Sequence, residues 1–492
     1  MTALSRTADA HAVRGIAVLP WVPLALAGLA LVVRSYQLGT NSIWYDETVS
    51  LINAQMSLSN LSDATRADVH PPLYYMLLHA WLSVPLLGSQ HPESWARFFS
   101  AVCSAGTVGL TYALGAELLG SSTVGLLGAF LVTFSPGSVA QGQEARMYPL
   151  LGLLTFGGLL FLHRALTRDA RANWLAFGVV CVLLPWVHYF GFFVLAALGL
   201  ASLALARGHP QRVIRTALAL GVACFLFLPW VPYLLAQLEP SSGRFWRPPM
   251  SWGLLGDTGH QMTFFSTPDH GWFEDPLTVW GADLFAALAV LGAAALVWRR
   301  HAGIALILIL SVPIALAAAV TLWLVPVYEP RYVLFTLPAF ALLAAYGLMQ
   351  VRVRWLAIGC LTVVLAGEAV SLQTLFTDGY YFRPDLRQAA REIVQDFQPG
   401  DVILHTALGT QLPVTYYTGP TLPSVEIEPI SRGAVQQISH TYRRVWLVRI
   451  EDTNAWGYVV EGDVQTFMAD FTLVQKWPLT GLALYEYLSP EG

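Results

Sequence analysis

Residues 41–47 read Asn41-Ser42-Ile43-Trp44-Tyr45-Asp46-Glu47, an acidic motif that follows the first long apolar run of the chain, 15–33. The chain otherwise avoids charge, because only 12% of its 492 residues are charged and 55% are hydrophobic. An average soluble domain has about 25% charged residues. Acids beside a bilayer are costly unless they form hydrogen bonds, bind a metal or do chemistry. The composition therefore indicates a polytopic membrane protein. The position of the acidic motif relative to the membrane then decides what chemistry it can do.

The remaining composition excludes several other classes. The net charge of −4 comes without a basic tract, so no nucleic-acid partner is expected. The four cysteines lie inside apolar runs without CxxC spacing, which predicts buried thiols rather than a disulfide framework or a metal cluster. They are Cys103, Cys181, Cys224 and Cys360. The run 15–33 is too long for a signal-peptide core and lacks a clear cleavage site, so it is predicted to be a span.

Eleven apolar runs have the length of a membrane span. They lie near 15–33, 96–117, 122–140, 148–166, 173–189, 190–206, 213–236, 277–298, 303–326, 331–349 and 354–374. A further run, 71–87, begins with Pro71-Pro72 and carries His79, so its apolar character alone does not decide whether it crosses.

Arginines decide the predicted topology. Four short loops between alternate pairs of runs carry His163, Arg164, Arg168 and Arg171, then Arg207, Arg212 and Arg215, then Arg299 and Arg300, then Arg352 and Arg354. Since basic loops stay in the cytoplasm, all four are predicted to be cytoplasmic. The segment 141–148 is then outside, and the acidic motif is outside only if 71–87 does not cross. We therefore predict a helix at the outer membrane surface for 71–87, and about eleven spans.

The chain changes character after Thr374. Residues 384–397 have the pattern of an amphipathic helix that ends before Pro399-Gly400, with apolar positions Leu386, Ala389, Ala390, Ile393, Val394 and Phe397. Segments 401–405, 444–450 and 483–488 are rich in β-branched and large apolar residues and are predicted to be strands. The predicted organisation is an α-helical transmembrane domain over 1–374 and a small extracytoplasmic α/β domain over 375–492.

Further polar motifs are predicted to share the outer face, and each has a simpler structural explanation. In His70-Pro71-Pro72-Leu73-Tyr74-Tyr75 the prolines fix φ and start a helix, while His70 and Tyr74 can face a site. In the segment 141–149, Glu144 and Arg146 can form a surface salt bridge beside Tyr148.

Two more motifs complete the set at the outer face. Arg331, in Tyr328-Glu329-Pro330-Arg331-Tyr332, is either an interfacial anchor or a phosphate ligand, since the guanidinium fork matches phosphate oxygens. His188-Tyr189 lies at another outer end, where a structural role is the alternative. For Asp46 the alternative is an N-cap on a helix that starts at Glu47. Together these motifs favour one site at one leaflet.

Four segments give the chain a family resemblance. They are Trp44-Tyr45-Asp46-Glu47, His70-Pro71-Pro72-Leu73-Tyr74-Tyr75, Gln143-Glu144-Ala145-Arg146-Met147-Tyr148 and Pro330-Arg331-Tyr332. In these segments the chain resembles the membrane glycosyltransferases of the dolichyl-phosphate-mannose protein mannosyltransferase type. These enzymes have the GT-C fold, which also includes the aminoarabinose transferase acting on lipid A. The resemblance covers residues 15–375 and is most specific in its first third.

The resemblance implies a polyprenyl-phosphate sugar donor and an acceptor hydroxyl on the outer side of a cell (inner) membrane. Independently of it, an acceptor hydroxyl must lose a proton as it attacks the anomeric carbon, and a leaving phosphate needs a cation. We assign the base to Asp46, with Glu47 tuning it, and the phosphate to Arg331 first and Arg146 second, beside Tyr332. The residues expected to line the site are His70, Tyr74, Glu144, Tyr148, His188 and Tyr189.

Several alternatives stay open at this point. The sequence does not decide whether a divalent metal is required; the candidate ligands are Asp46, Glu47, Glu144 and His70. One rival function is a polysaccharide polymerase or ligase that uses a diphosphate carrier. The other is a transporter of lipid-linked sugars, which would place ionisable residues near the membrane midplane. Only Asp283 and Glu368 lie deep in a predicted span.

Overall fold

The computed structural model describes residues 21–84, 91–206, 208–239, 249–264, 276–299, 301–377, 383–405, 409–426, 432–450, 468 and 471–490. These residues form two compact units. The membrane unit consists of Met1–Tyr36, Met56–Val84 and Arg97–Leu372, and the second unit of Gln37–Gln55, Pro85–Ala96 and Gln373–Gly492. The acidic motif thus belongs to the same unit as the C-terminal residues. A domain boundary at residue 374 stays a prediction.

The described residues form helices in almost every predicted apolar run. The first group is α1 Val22–Ser35, α2 Tyr45–Gln55, α3 Leu58–Ala67, α4 Leu73–Leu82, α5 Pro92–Glu117, α6 Ser122–Phe134, α7 Pro136–Gly142, α8 Tyr148–Arg168, α9 Arg171–Val187 and α10 Gly191–Leu205. The second group is α11 Pro210–Phe227, α12 Val231–Gln237, α13 Trp252–Thr263, α14 Pro276–Arg299, α15 His301–Trp323, α16 Pro330–Val333, α17 Leu337–Leu348 and α18 Arg354–Thr377. Short 3-10 turns at Leu228–Trp230 and Leu334–Thr336 join α11 to α12 and α16 to α17.

Seven helical stretches of the described chain are long and apolar enough to cross a membrane. They are Pro92–Glu117, Tyr148–Arg168, Pro210–Gln237, Val279–Val297, Ala302–Trp323, Pro330–Leu348 and Arg354–Thr377. Helices α6 and α7 make an eighth if they are counted as one span, bent by 62°. Since α1, α9 and α10 are shorter apolar helices, the count of eleven spans stays a prediction.

Helix α4 covers Leu73–Leu82, which is only part of the run 71–87, and residues 85–87 lie outside the described residues. Its ten residues correspond to about 15 Å of helix, half of the roughly 30 Å hydrocarbon core of a bilayer. This length agrees with a helix at the membrane surface but does not test its position.

The core of the membrane unit is the span formed by α16 and α17, of which 89% is buried. It packs closely on α14 through two glycines. A Cβ added at Gly292 would lie 1.8 Å from the carbonyl oxygen of Leu343, and one at Gly347 would lie 1.9 Å from that of Leu288. No other residue permits this approach of two backbones, which in a bilayer supplies van der Waals contact where the hydrophobic effect is absent.

Ion pairs join the ends of several membrane helices on one side of this unit. Glu117, at the end of α5, accepts hydrogen bonds from Arg164 Nε at 3.0 Å and from Arg168 Nη2 at 2.9 Å. Asp169, just after α8, lies 2.6 Å from Arg215 Nη1 of α11. The arginine-rich end of α8 and start of α11 therefore lie on the same side of the unit, as the alternating pattern of basic loops predicts.

In the second unit, the C-terminal residues form an α/β fold, as predicted. Its elements are α19 Leu386–Asp396, β1 Asp401–His405, α20 Gln411–Thr418, β2 Ser424–Glu426, α21 Arg432–Thr441, β3 Arg444–Ile450, β4 Thr472–Leu479 and β5 Leu482–Leu488. The sheet order is β2-β1-β3-β5-β4, with β1 parallel to β2 and β3 and with β5 antiparallel to β3 and β4. Helix α21 packs on one face of the sheet, and α19 and α20 on the other.

Two details of this domain differ from the sequence prediction. The predicted apolar face of α19 includes Val394, but the structure leaves its side chain 51% exposed, while Leu386, Ala389 and Ile393 pack on the sheet. Strands β2 and β4 were not predicted: β2 has only three residues, and β4 is an edge strand whose residues are mostly exposed and therefore lack an apolar pattern.

A histidine is buried at the end of the central parallel strand. His405 has no exposed surface. Its Nδ1 lies 3.0 Å from Thr410 Oγ1, and its Nε2 lies 3.0 Å from Ser424 Oγ. Burial lowers the pKa of His405 to about 3, because a charged imidazolium loses its hydration inside the domain. The ring is therefore neutral at physiological pH.

Candidate functional site

The acidic motif forms the start of a helix in the second unit. Helix α2 begins at Tyr45, and the amide of Thr48 donates to the carbonyl of Trp44 at 2.8 Å. Asp46 and Glu47 are thus both inside the first turn, where carboxylates interact favourably with the helix dipole. The alternative in which Asp46 is the N-cap is wrong, because Asp46 lies within α2, one residue after its start.

Glu47 is fully buried and paired. Its Oε2 lies 2.7 Å from Nη1 of Arg383, and Arg383 is only 8% exposed. The guanidinium carbon of Arg383 also lies 4.6 Å from the ring centre of Trp44, at cation–π distance. Asp46 is half-buried beside this pair. No local pattern in the sequence marks Arg383 as a site residue, because the pair joins residues 336 positions apart.

Hydrogen bonds from the C-terminal residues fix the segment that leads into the acidic motif. Ser42 Oγ donates to the carbonyl of Pro384 at 2.7 Å, and the amide of Leu386 donates to Ser42 Oγ at 3.3 Å. The amide of Ile43 donates to the Tyr417 hydroxyl at 2.9 Å. Burial raises the pKa of Tyr417, which keeps this hydroxyl neutral.

Arg387 adds a second cation to the same segment. Its guanidinium donates to the carbonyl oxygens of Gly39 and Asn41 at 3.2 and 3.0 Å, and it forms an ion pair with Glu93. The backbone on the N-terminal side of the acidic motif is therefore held by several directional contacts. We conclude that the C-terminal residues serve as a scaffold for this motif.

A second group of predicted residues meets in the membrane unit. Arg146 Nη2 lies 2.9 Å from His70 Nε2. Because a guanidinium can only donate, this Nε2 accepts the hydrogen bond and the His70 ring is neutral in this arrangement. His70 and His188 meet edge to face, with ring centres 5.5 Å apart. Arg146 is 4% exposed, so the contact is desolvated.

Two tyrosines link the two candidate phosphate ligands. The rings of Tyr148 and Tyr332 stack with centres 5.3 Å apart. The guanidinium carbon of Arg146 lies 5.8 Å from the Tyr148 ring centre, and that of Arg331 lies 5.3 Å from the Tyr332 ring centre. Arg146 and Arg331 thus each lie next to one ring of the same stacked tyrosine pair. His188 also joins this group, 5.6 Å from Tyr148 between ring centres.

The other predicted residues take different places. Tyr189 belongs to a separate network, in which its hydroxyl accepts from Trp230 Nε1 at 3.0 Å and donates to Gln237. Tyr74 is fully buried, with its ring 5.5 Å from that of Tyr75. Glu144 is half-buried, and its carbonyl accepts from the amide of Arg146 at 2.8 Å in a tight turn.

No preformed metal site is found among the described residues, where no three His, Cys, Asp or Glu side chains are grouped to hold an ion. Of the four candidate ligands, Glu47 already has the guanidinium of Arg383 as its counter-charge. His70 Nε2 is engaged by Arg146 in the same way. In the observed arrangement, each of these two side chains thus has one of its two possible ligand atoms engaged by an arginine.

Comparisons with known proteins agree with the motifs. Residues 24–239 match the family model of dolichyl-phosphate-mannose-protein mannosyltransferases. A sequence search of curated proteins finds no match.

Solved structures share the fold. ArnT from Cupriavidus metallidurans, crystallised with undecaprenyl phosphate, aligns with a TM-score of 0.60 and 14% identity over 94% of this chain and 97% of its own. The archaeal oligosaccharyltransferase AglB from Archaeoglobus fulgidus, in complex with an inhibitory peptide and a dolichol-phosphate, aligns with a TM-score of 0.50 and 11% identity over 94% of this chain and 74% of its own. The mycobacterial arabinofuranosyltransferase AftD aligns with a TM-score of 0.53 and 14% identity over 96% of this chain and 42% of its own.

The resemblance inferred from the four motifs is thus confirmed, and so is the predicted fold class of an α-helical membrane protein with a small α/β domain. The chain shares the GT-C fold of these glycosyltransferases, and its residues 24–239 match the family model of dolichyl-phosphate-mannose-protein mannosyltransferases.

Proposed function

We propose that this glycosyltransferase takes a hexose or pentose from a polyprenyl-phosphate carrier and transfers it, with inversion, to a hydroxyl of an extracytoplasmic acceptor. The observation that carries the proposal is the pair of guanidinium groups, Arg146 and Arg331, at one stacked pair of tyrosines. Two arginines match the charge and the oxygen geometry of a phosphate monoester. The ligands in the structures of ArnT and AglB, undecaprenyl phosphate and a dolichol-phosphate, support the same class of carrier.

In the proposed reaction, the acceptor oxygen attacks the anomeric carbon and the bond from that carbon to the phosphate oxygen breaks. The acceptor proton passes to Asp46 as general base. The bonding electrons leave with the phosphate, whose added negative charge Arg331 and Arg146 stabilise. Glu47, fixed by its ion pair with Arg383, holds the first turn of α2 from which Asp46 projects.

We further propose that the acidic motif, the segment 141–148 and the C-terminal domain lie on the extracytoplasmic face of the cell membrane. The predicted cytoplasmic position of the basic loops supports this orientation. A leaving group that is already a phosphate anion suits this face, because the reaction there needs no soluble nucleotide.

The carrier can be identified by mass spectrometry of the lipid that copurifies with the protein. We expect a polyprenyl monophosphate, with or without a sugar, and we expect its amount to fall in an Arg146→Ala/Arg331→Ala double variant. The matched control is Arg354→Ala, an exposed arginine at the start of α18. A polyprenyl diphosphate with an oligosaccharide would instead support the polymerase or ligase.

The transporter rival has one structural candidate, Glu368, which is 1% exposed in the middle of α18. The other deep acid, Asp283, is exposed on α14. Proteoliposomes that contain the purified protein and a labelled polyprenyl-phosphate sugar separate the two functions. Movement of label across the bilayer without transfer to any acceptor would support transport and contradict the proposed reaction.

A further inference from the structure

Arg34, near the C-terminal end of α1, is completely buried. Its Nε donates to Ser104 Oγ at 2.7 Å and its Nη2 to Ser138 Oγ at 2.8 Å. Its other hydrogen bonds are from Nη1 to the carbonyls of Ala30 and Thr133, each at 3.2 Å, and from Nη2 to the carbonyl of Val132 at 3.0 Å. A buried guanidinium is costly even when it is hydrogen-bonded, so its retention here points to a specific task.

We infer that this task is to supply hydrogen-bond donors at the break between α6 and α7. In a continuous helix, the carbonyl of Val132 would accept from the amide of residue 136, but Pro136 has no N–H. Arg34 supplies the missing donor to Val132 and another to Thr133. Its charge also lies at the C-terminal end of α6, where a cation is favourable. Arg34 thus stabilises the bend of 62°, since carbonyls that lack a hydrogen-bond donor inside a bilayer are costly.

Arg34 also contacts the far end of α7. A Cβ added at Gly142 would lie 3.0 Å from Arg34 Cδ, so the last turn of α7 packs directly on the arginine side chain. The Gln143 side-chain amide then donates to the carbonyls of Arg34 and Tyr36, at 3.1 and 2.6 Å. Both ends of α7 are therefore fixed by Arg34 and its neighbours on α1.

Helix α7 leads to both candidate phosphate ligands. The Gln141 side-chain amide donates to the carbonyl of Arg331. Three residues after Gln143 the chain reaches Arg146, whose carbonyl accepts from Ser100 Oγ at 3.3 Å. A change in the direction of α7 would shift Gln141 and the turn that carries Arg146 together.

We propose that Arg34 is a positioning residue for recognition of the donor phosphate. It holds α7 at its bend, and α7 sets the positions of Arg146 and Arg331. The proposal rests on the proposed function and adds to it a residue outside the acidic motif, on helix α1, that the reaction needs.

The test measures the affinity of the purified full-length protein for undecaprenyl phosphate together with its melting temperature. Arg34→Met removes the donors at similar length and should weaken binding by about tenfold or more. Arg34→Lys keeps the charge but cannot reach the same oxygens in a fork, and should weaken it less. The matched control is Arg164→Met, which breaks an ion pair with Glu117 at the other side of the membrane unit and should leave the affinity within about twofold.

A second substitution separates positioning from stability. Pro136→Ala in the Arg34→Met background gives Val132 an amide donor but lets α6 continue straight, so we expect the melting temperature to recover and the affinity to stay low. Recovery of both quantities would overturn the proposal, as would an Arg34→Met protein that melts earlier yet binds within twofold of wild type.

Two further outcomes are informative. Should Arg34→Met not fold, Gln143→Ala, which frees the end of α7 while keeping Arg34, should weaken binding severalfold, and unchanged binding in it would overturn the proposal. If the wild-type protein itself fails to bind undecaprenyl phosphate, the proposed function is wrong and this inference falls with it. Failure of the proposed function is thus seen in the wild-type protein, whereas failure of this inference is seen only in the variants.

Discussion

Arg383 Nη1 lies 2.7 Å from Glu47 Oε2, and the pair is almost completely buried, with Arg383 8% exposed and Glu47 not exposed at all. Removing one partner of a buried pair leaves an uncompensated charge, which costs more than removing both. The conformation of the acidic motif therefore depends on its ion pair with the C-terminal domain. It also gives a function to a region in which the sequence showed no catalytic motif.

The first prediction concerns this pair. Arg383→Gln and Glu47→Gln should each destabilise the protein by roughly 3–5 kcal/mol, whereas the double variant should lose less than the sum. Thermal unfolding of all four proteins gives the coupling between the two residues, expected to be about 1–3 kcal/mol. Additive effects would show that the pair contributes nothing beyond its separate contacts.

The second prediction tests the base. Asp46→Asn keeps the size of the side chain but cannot accept the acceptor proton, so turnover should fall by about 10²–10⁴-fold with folding intact. Asp63→Asn is the matched control, because Asp63 is an exposed acid in a surface pair with Arg66. Near-wild-type turnover of Asp46→Asn would remove this residue from the mechanism.

The third prediction concerns Arg331. Arg331→Lys should weaken use of the donor although the charge is kept, and Arg331→Ala should weaken it further, by roughly 2–4 kcal/mol. The effect should appear in donor kinetics and not in the apparent affinity for the acceptor. Arg354→Ala serves as control. An effect of Arg331→Ala on acceptor affinity or stability alone would transfer the phosphate role to Arg146 and make Arg331 an interfacial anchor.

The fourth prediction follows from His405. Its pKa is lowered to about 3 in the folded state, whereas an unfolded histidine titrates near 6.5. The unfolded state therefore binds more protons between these values, and stability is complete above about pH 6.5 and falls as the pH decreases. At pH 5 the loss should be about 2 kcal/mol.

The loss of stability is measured from the hydrogen-exchange rates of the β1 backbone amides in the full-length protein. These rates are first corrected for the effect of pH on the intrinsic rate of exchange. His405→Gln should remove most of the pH dependence, while His440→Gln, at an exposed position, should keep it. An unchanged pH dependence in His405→Gln would assign the effect to another group.

The fifth prediction is topological. With Cys103, Cys181, Cys224 and Cys360 replaced, single cysteines at Gln90 and Ser122 should react with an impermeant reagent from opposite sides. Gln90→Cys should be labelled from outside and Ser122→Cys from the cytoplasm; Ser122 is chosen because Ser121 caps α6 through the amide of Val124. Cytoplasmic labelling at Gln90 would show that the run 71–87 crosses and would move the acidic motif to the other face.

Sequence alone determined the parts of this protein that depend on local pattern. Long apolar runs gave the membrane class and the positions of the helices, since burial in lipid requires about 20 apolar residues whatever the neighbours are. The motifs around Asp46, His70, Arg146 and Arg331 gave the family. Strands β1, β3 and β5 were predicted because their residues are apolar enough to be buried on both faces of the sheet.

Tertiary structure alone decided which of these residues meet. The pairs Glu47–Arg383, His70–Arg146 and Tyr148–Tyr332 join segments far apart in the chain. No period of 2 or 3.6 residues encodes such a contact, because periodicity fixes only the face on which a side chain lies. For the same reason, the sequence did not predict the role of Arg34, whose hydrogen-bond partners lie up to 104 residues away. This role also depends on the backbone N–H that Pro136 lacks.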